Sequence, residues 1–86
     1  MNEIINEKVS VITLYDRIKG SVMPVKIKWQ GRTYAITKLG YHHKVTEGRT
    51  LIHIFSVSNE ETAFKLRLDT NTLHWTLLEI YDELGS

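Results

Sequence analysis

The sequence predicts an all-β fold, a six-stranded antiparallel meander curled into a small barrel. Between residues 8 and 77 apolar residues recur with a period of two, and many of them are β-branched or aromatic. Single glycines and polar pairs interrupt this pattern at intervals that suit hairpin turns. With six strands in 86 residues, a curled sheet can bury its apolar faces and leave no open edges.

The first half of the chain predicts a long strand followed by a tight hairpin. The first strand runs from Lys8 to Tyr15, Gly20 marks a turn, and Pro24 indicates that the second strand begins near a sheet edge. Gln30-Gly31 is a two-residue turn in which glycine supplies a positive φ. The predicted pairs are Ile27 with Tyr34, Val25 with Ile36, Lys28 with Thr33 and Lys26 with Ala35.

The second half predicts three more hairpins, with turns at Glu47-Gly48, Asn59-Glu60 and Thr70-Asn71 and a bulge at Gly40. The predicted pairs include Tyr41 with Ile54, His43 with Ile52, Phe55 with Phe64 and Leu66 with Trp75. Together these hairpins predict one inner face, made of Leu51, Phe55, Phe64, Leu66, Leu68, Leu73, Trp75 and Leu77.

The C-terminal segment leaves two alternatives open. Leu77, Ile80, Tyr81 and Leu84 have the spacing of a helical stripe, which predicts a short helical turn. A strand with a bulge after Leu77 fits the same residues. The polar ends, residues 1–6 and 83–86, are expected to be frayed.

Composition indicates one domain of ordinary globular type. Apolar residues make up 42% of the chain and charged residues 24%, and cysteine is absent, which excludes disulfides and thiolate metal sites. The sequence contains no apolar run long enough to span a membrane and no signal-peptide pattern. We therefore expect a cytoplasmic protein without a membrane partner.

Catalytic and metal-binding patterns are missing. The glycines are scattered singly, no serine stands in a nucleophile motif, and the paired carboxylates fall in loops or ends. His42 and His53 are predicted on one face, and His43 and His74 on the other, so the four cannot form one tetrahedral site, although two histidines with a carboxylate stay an alternative. The sequence predicts a non-enzymatic domain without metal or cofactor.

The distribution of charge indicates a possible anion-binding surface. Residues 17–49 carry eight basic side chains against the single acidic Glu47, a local balance of +7 in a chain of net charge +1. Single-stranded DNA or RNA would meet these cations through its phosphates and an exposed ring through its bases. The predicted contacts are Lys26, Lys28, Arg32, Tyr41, Lys65 and Arg67. The simpler alternative is that the basic side chains only solvate the outside of a sheet.

A second class of function is a protein-interaction adaptor. The predicted registers place Tyr41, Ile52 and Ile54 on the outward face, where they would form an apolar patch that needs cover. An open strand edge would serve the same purpose.

The hairpin Trp29-Gln30-Gly31-Arg32-Thr33-Tyr34-Ala35-Ile36 resembles the Trp-x-Gly-Arg-x-Tyr-x-Val/Ile hairpin of a small bacterial all-β domain of unknown function. That domain is appended to, or encoded beside, relatives of the error-prone Y-family DNA polymerases. The similarity covers residues 22–82 and includes Phe64-Lys65-Leu66 and Trp75-Thr76-Leu77, but Tyr41-His42-His43 stand where the family has tryptophan-rich positions. The resemblance implies a small β fold and a DNA repair or replication context, and it supplies no catalytic residues.

Overall fold

Seven antiparallel strands form a single sheet. The computed structural model describes residues 2–81, and its strands are β1 (Asn2–Asp16), β2 (Ser21–Trp29), β3 (Arg32–Ala35), β4 (Lys38–Glu47), β5 (Thr50–Ser58), β6 (Ala63–Asp69) and β7 (His74–Tyr81). Their order across the sheet is β3-β2-β1-β7-β6-β5-β4. This part of the chain contains no helix, and therefore none that could span a membrane. The all-β prediction is confirmed, with seven strands in place of six.

Strands β3 and β4 lie at opposite edges of the sheet although only Ile36 and Thr37 separate them. The Ile36 N–H donates to the Val25 carbonyl at 2.9 Å and prolongs the β2–β3 ladder. The next residue, Thr37, donates its N–H to the Ser58 carbonyl at 3.0 Å and starts the β4–β5 ladder. The sheet must therefore curl strongly. It does not close, because β3 and β4 do not pair, and the predicted barrel is not confirmed.

Strand β1 joins the two halves of the sheet. Its residues 2–9 pair with β7, whereas residues 10–16 pair with β2. The strand begins at Asn2 rather than at Lys8, because the polar N-terminal residues find backbone partners along β7. Polar composition alone did not indicate this pairing.

The core lies on the concave side of the curled sheet. Phe64 is 1% exposed and meets Tyr34 edge-on, with ring centroids 5.4 Å apart. Phe55 lies 5.4 Å from the ring of Trp75. Full burial of one such side chain is worth about 1.5–3 kcal/mol. The main buried cluster consists of Ile27, Phe55, Val57, Phe64, Leu66, Trp75 and Leu77.

The register of the first hairpin is as predicted, and the next three are displaced by two residues. Ile27 pairs with Tyr34 and Lys28 with Thr33. The observed pairs in the other hairpins include His43 with Ile54, Phe55 with Leu66, and Leu66 with Leu77. A displacement of two residues keeps each side chain on its face because side chains alternate with a period of two. The predicted inner face therefore holds for its central residues, while Leu51 and Leu73, near the strand ends, are exposed.

Side-chain caps explain two of the displaced registers. The Asn59 carboxamide oxygen accepts the N–H groups of Glu61 and Thr62, both at 2.8 Å. The Asp69 carboxylate likewise accepts the N–H groups of Asn71 and Thr72, at 2.8 and 3.2 Å. These caps stabilise four-residue connections, residues 59–62 and 70–73, in place of the predicted two-residue turns.

The remaining displaced hairpin turns at Gly48-Arg49 rather than at the predicted Glu47-Gly48, because Glu47 pairs with Thr50.

Bulges and register shifts in three pairs of strands bear on further predictions. Pro24 lies inside β2 at a register shift, where a residue without an N–H is tolerated, so the strand does not begin there. The bulge predicted at Gly40 is present. Near the C-terminus the register shifts between Leu77 and Glu79, so the bulged strand is confirmed and the helical turn is wrong up to Tyr81. Leu84 lies outside the described residues.

Candidate functional site

The predicted nucleic-acid contacts on β2 and β3 lie on opposite faces. Lys26 and Lys28 flank the buried Ile27 and point outward, as predicted. Among residues 2–81, neither ammonium group has a carboxylate within 4.0 Å. Arg32 pairs with Trp29 and therefore lies on the other face, where its guanidinium is 5.8 Å from the ring centroid of Tyr34.

The two predicted contacts on β6 are engaged by acidic neighbours. Arg67 donates to the Glu47 carboxylate at 2.6 Å, and the Lys65 ammonium lies 4.0 Å from the Glu79 carboxylate. Strands β1 and β7 separate β6 from β2, a distance of about 14 Å at the usual spacing between strands. The structure therefore does not gather the six predicted contacts into one surface.

The predicted apolar patch is wrong, because Ile52 is fully buried and Ile54 is 8% exposed. The ion pair between Arg67 and Glu47 provides the cover. Arg67 pairs with Ile54, Glu47 pairs with Thr50, and β5 lies between their strands, so the bridge crosses above Ile52. Long arginine stems commonly cover apolar surface in this way.

Tyr41, shared by both predicted site sets, lies on an open edge of the sheet. Nine of the ten residues of β4 are exposed, and Tyr41 itself is 60% exposed. Among the described strands, β4 pairs with β5 alone. The opposite edge, β3, has only four residues. The long edge is therefore available to another strand.

Backbone hydrogen bonds fix which groups of β4 face outward. The Ser58 carbonyl accepts from Thr37 on the β4 side of β5, and the Leu51 carbonyl accepts from Thr70 on the β6 side. Even-numbered residues of β5 therefore face β4, and their partners on β4 after the bulge are odd-numbered. It follows that His42, Lys44 and Thr46 direct their N–H and C=O groups outward. We call residues 41–47 of this strand the β4 edge.

On the concave side of β4, His42 and His53 form a close pair. His42 Nε2 lies 2.8 Å from His53 Nδ1, so one ring donates to the other. The His42 ring also stacks on Phe55, with centroids 4.2 Å apart and planes 4° from parallel. The two histidines share a face as predicted, although His53 pairs directly with Lys44.

The histidine pair forms part of a cavity of about 420 Å³, which we call the histidine cleft. The cleft lies between the inner face of the sheet and the β1–β2 connection. Its lining residues are Gly20, Ser21, Val22, His42, Lys44, His53, Phe55, Leu68, Thr70 and Leu73. None of these carries a negative charge.

The neutral form of both imidazoles is favoured in this cleft. Burial lowers the pKa of His42 below its usual 6.5, and the positive charges of His53, Lys44 and His43 lower it further. Burial followed by the charge of Lys44 lowers the pKa of His53 in the same direction. The hydrogen bond between the rings requires at least one neutral imidazole, since one nitrogen must accept.

The other two histidines lie on the convex face. His43 packs beside Tyr41, with ring centroids 5.0 Å apart, and its Nδ1 atom is buried without a hydrogen-bond partner in the described structure. His74 pairs with Asp69 at the far end of the sheet. Within residues 2–81, no three histidine, aspartate or glutamate side chains stand close enough together to hold a metal ion.

Sequence reasoning did not identify Lys44 and Leu73 as site residues. Lys44 alternates with His42, and that spacing of two places both on the concave face of β4, a signal available from the sequence. The alternation of apolar residues predicts Leu73 as a strand residue of the core. The side-chain cap at Asp69 places it in the connection instead, at the rim of the cleft.

Comparison with protein-family models, with curated protein sequences and with solved structures finds no significant match to this chain. The resemblance to the polymerase-associated domain therefore stays a prediction. Three features of the structure could support binding: the open β4 edge, the histidine cleft and the outward lysines of β2.

Proposed function

We propose that the domain is a non-enzymatic protein-interaction module that binds an extended partner segment along the β4 edge. The observation that carries this proposal is the set of outward N–H and C=O groups of His42, Lys44 and Thr46 on a long, exposed strand. Addition of a strand satisfies such groups through a new ladder, and pockets for alternate side chains supply specificity.

Side chains of the β4 edge define the chemistry of the partner. Tyr41 and Val45 present apolar surface on the convex side, at 60% and 38% exposure. Lys44 lies on the concave side, where a directly opposed acidic side chain would be stabilising. The partner segment is therefore an extended peptide in which acidic and apolar residues alternate.

A second copy of this chain fits the β4 edge less well than an acidic peptide does. In a symmetric antiparallel pair of β4 edges, the register that keeps all of residues 41–47 paired is centred on Lys44. It places the two Lys44 side chains directly opposite one another, and like charges in that position are destabilising. Charge complementarity thus favours an acidic partner over self-association.

The test is an NMR titration with an acetylated seven-residue peptide that alternates valine with glutamate, compared with a valine–lysine peptide. We expect the acidic peptide to shift the amide signals of Lys44 and Thr46 more than any others. Thr46→Pro removes one outward N–H while sparing the β4–β5 ladder, and should abolish binding.

Thr33→Pro is the matched control, since Thr33 has an outward N–H on the opposite edge. It should leave peptide binding intact. Absence of binding at millimolar peptide, equal binding of the lysine peptide, or equal loss in Thr33→Pro would contradict the proposal.

A second candidate function is weak binding of single-stranded nucleic acid. The observation that favours it is the pair Lys26 and Lys28, exposed side by side on β2 without a carboxylate partner among the described residues. Combined Lys26→Glu and Lys28→Glu should reduce oligonucleotide affinity without unfolding, and affinity should fall steeply with salt. No detectable binding at low salt would exclude this candidate.

A further inference from the structure

The histidine cleft has features that strand addition does not use. Its inner wall is a row of flat rings: the centroid of His42 lies 5.0 Å from that of His53 and 4.2 Å from that of Phe55. Leu68 and Val22 add aliphatic surface. Flat aromatic walls favour a flat aromatic ligand, since offset ring contacts add to the gain from apolar burial.

The apolar surface continues beyond the cleft. An adjoining cavity of about 290 Å³ shares Val22, Leu68 and Leu73 with it and adds Thr13 and Trp75. Small-molecule sites commonly occupy 300–1,000 Å³ and combine apolar walls with a few converging polar groups. The cleft alone, at about 420 Å³, falls within that range.

The polar groups converge at the β4 end. Lys44 brings an ammonium group to the lining, and the contact between the histidines occupies only one nitrogen of each ring. His42 Nδ1 and His53 Nε2 therefore remain available to a ligand. Because none of the lining residues within the described part of the chain is acidic, the charge that complements them is negative.

Leu73 provides an independent sign that the rim is built for an apolar ligand. It is 71% exposed and has a φ of 64°, a left-handed conformation in which glycine and asparagine are much more common. Because the side chain is exposed, it buries little apolar surface that could offset this backbone strain. Strained residues of this kind cluster at binding sites.

We propose that the histidine cleft binds a small aromatic monocarboxylate, with the carboxylate at Lys44 and at the one outer imidazole nitrogen of the neutral pair that carries a hydrogen, and the ring against Phe55, Leu68 and Leu73. The apolar walls bury the aromatic ring of the ligand, and the ammonium group of Lys44 favours a negatively charged ligand over a neutral one. The site lies on the concave face and shares the Lys44 side chain with the β4 edge, but it does not use the outward backbone groups of that edge.

The test is calorimetric titration with 1-naphthoate and with its uncharged analogue 1-naphthalenemethanol. We expect naphthoate to bind more tightly than the alcohol by about tenfold or more, the usual worth of a hydrogen bond to a charged group. Lys44→Met should remove this preference and leave the alcohol unaffected. Lys26→Met, the matched change on the convex face, should alter neither.

Leu73→Asn should weaken both ligands, because it removes apolar surface at a position where asparagine fits the backbone. Equal affinity for the two ligands, no binding of naphthoate, or the same loss in Lys26→Met as in Lys44→Met would overturn the proposal. Thr46→Pro separates this site from strand addition, since it should abolish peptide binding and leave naphthoate binding unchanged.

Discussion

At the scale of single residues, Leu73 and Gly20 occupy equivalent places in two connections. Each ends a four-residue loop that an aspartate opens, and each donates its N–H to that aspartate's carbonyl at 2.7 Å. Their φ angles are 64° and 65°. Glycine adopts this conformation without steric cost, whereas leucine does not.

Replacing Leu73 with asparagine should therefore stabilise the domain. The left-handed conformation costs an ordinary side chain roughly 1–2 kcal/mol, of which asparagine recovers a part, and Leu73 is 71% exposed. We expect a gain of about 1 kcal/mol in the free energy of unfolding, measured by urea denaturation. Gly20→Ala is the converse control and should cost a similar amount. Destabilisation by Leu73→Asn would show that the leucine contributes more packing than its exposure indicates.

The histidine pair should make stability depend on pH. Because burial and neighbouring charges lower the pKa values of His42 and His53 below 6.5, the unfolded chain binds protons that the folded chain excludes. Stability from these groups is complete above pH 6.5 and is lost as the pH falls through the folded-state values. Histidine titrates between roughly pH 5 and 8. The free energy of unfolding, measured across that pH range, should show this decline.

The double variant His42→Gln with His53→Gln should flatten that decline, whereas His74→Gln, on the convex face, should not. A slope that survives in the double variant would mean that other groups carry the pH dependence.

At the scale of elements, the faces were predictable, whereas the registers of three of the four predicted hairpins were not. Alternation of apolar and polar residues assigns a face to each side chain, and a shift of two residues does not change it. The register depends on the connection, and there Asn59 and Asp69 cap loops of four residues in place of two-residue turns. The short turn at Gln30-Gly31 was correctly predicted because glycine chemistry selects it.

The bridge from Arg67 to Glu47 couples β4 and β6 above Ile52, and its two partners should contribute unequally to stability. The ion pair itself is worth about 1 kcal/mol or less, since both groups reach solvent. Arg67→Ala also uncovers Ile52, so it should lower the free energy of unfolding, measured by urea denaturation, by more than Glu47→Ala does. A double-mutant cycle measures the coupling. If the two single variants lose the same free energy of unfolding, the aliphatic part of Arg67 does not shield Ile52 from solvent.

At the scale of the whole molecule, the sheet curls until its two edges are two residues apart along the chain, and it still stays open. The sequence indicates a curled all-β domain because its strands are short, apolar and alternating. The sequence does not indicate that the chain passes from one edge of the sheet to the other between Ile36 and Thr37. That step depends on hydrogen bonds to the distant Val25 and Ser58. The chain therefore forms two strands here, at opposite edges of the sheet, and β4 leaves a long free edge.

Amide hydrogen exchange along β4 tests that open edge most directly. The amides of His43 and Val45 bond to β5 and should exchange slowly, whereas those of Lys44 and Thr46 face solvent and should exchange at nearly unprotected rates. Addition of the valine–glutamate peptide should then protect Lys44 and Thr46. Protection of these two amides in the free protein, independent of its concentration, would mean that the sheet is closed and would contradict the proposed function.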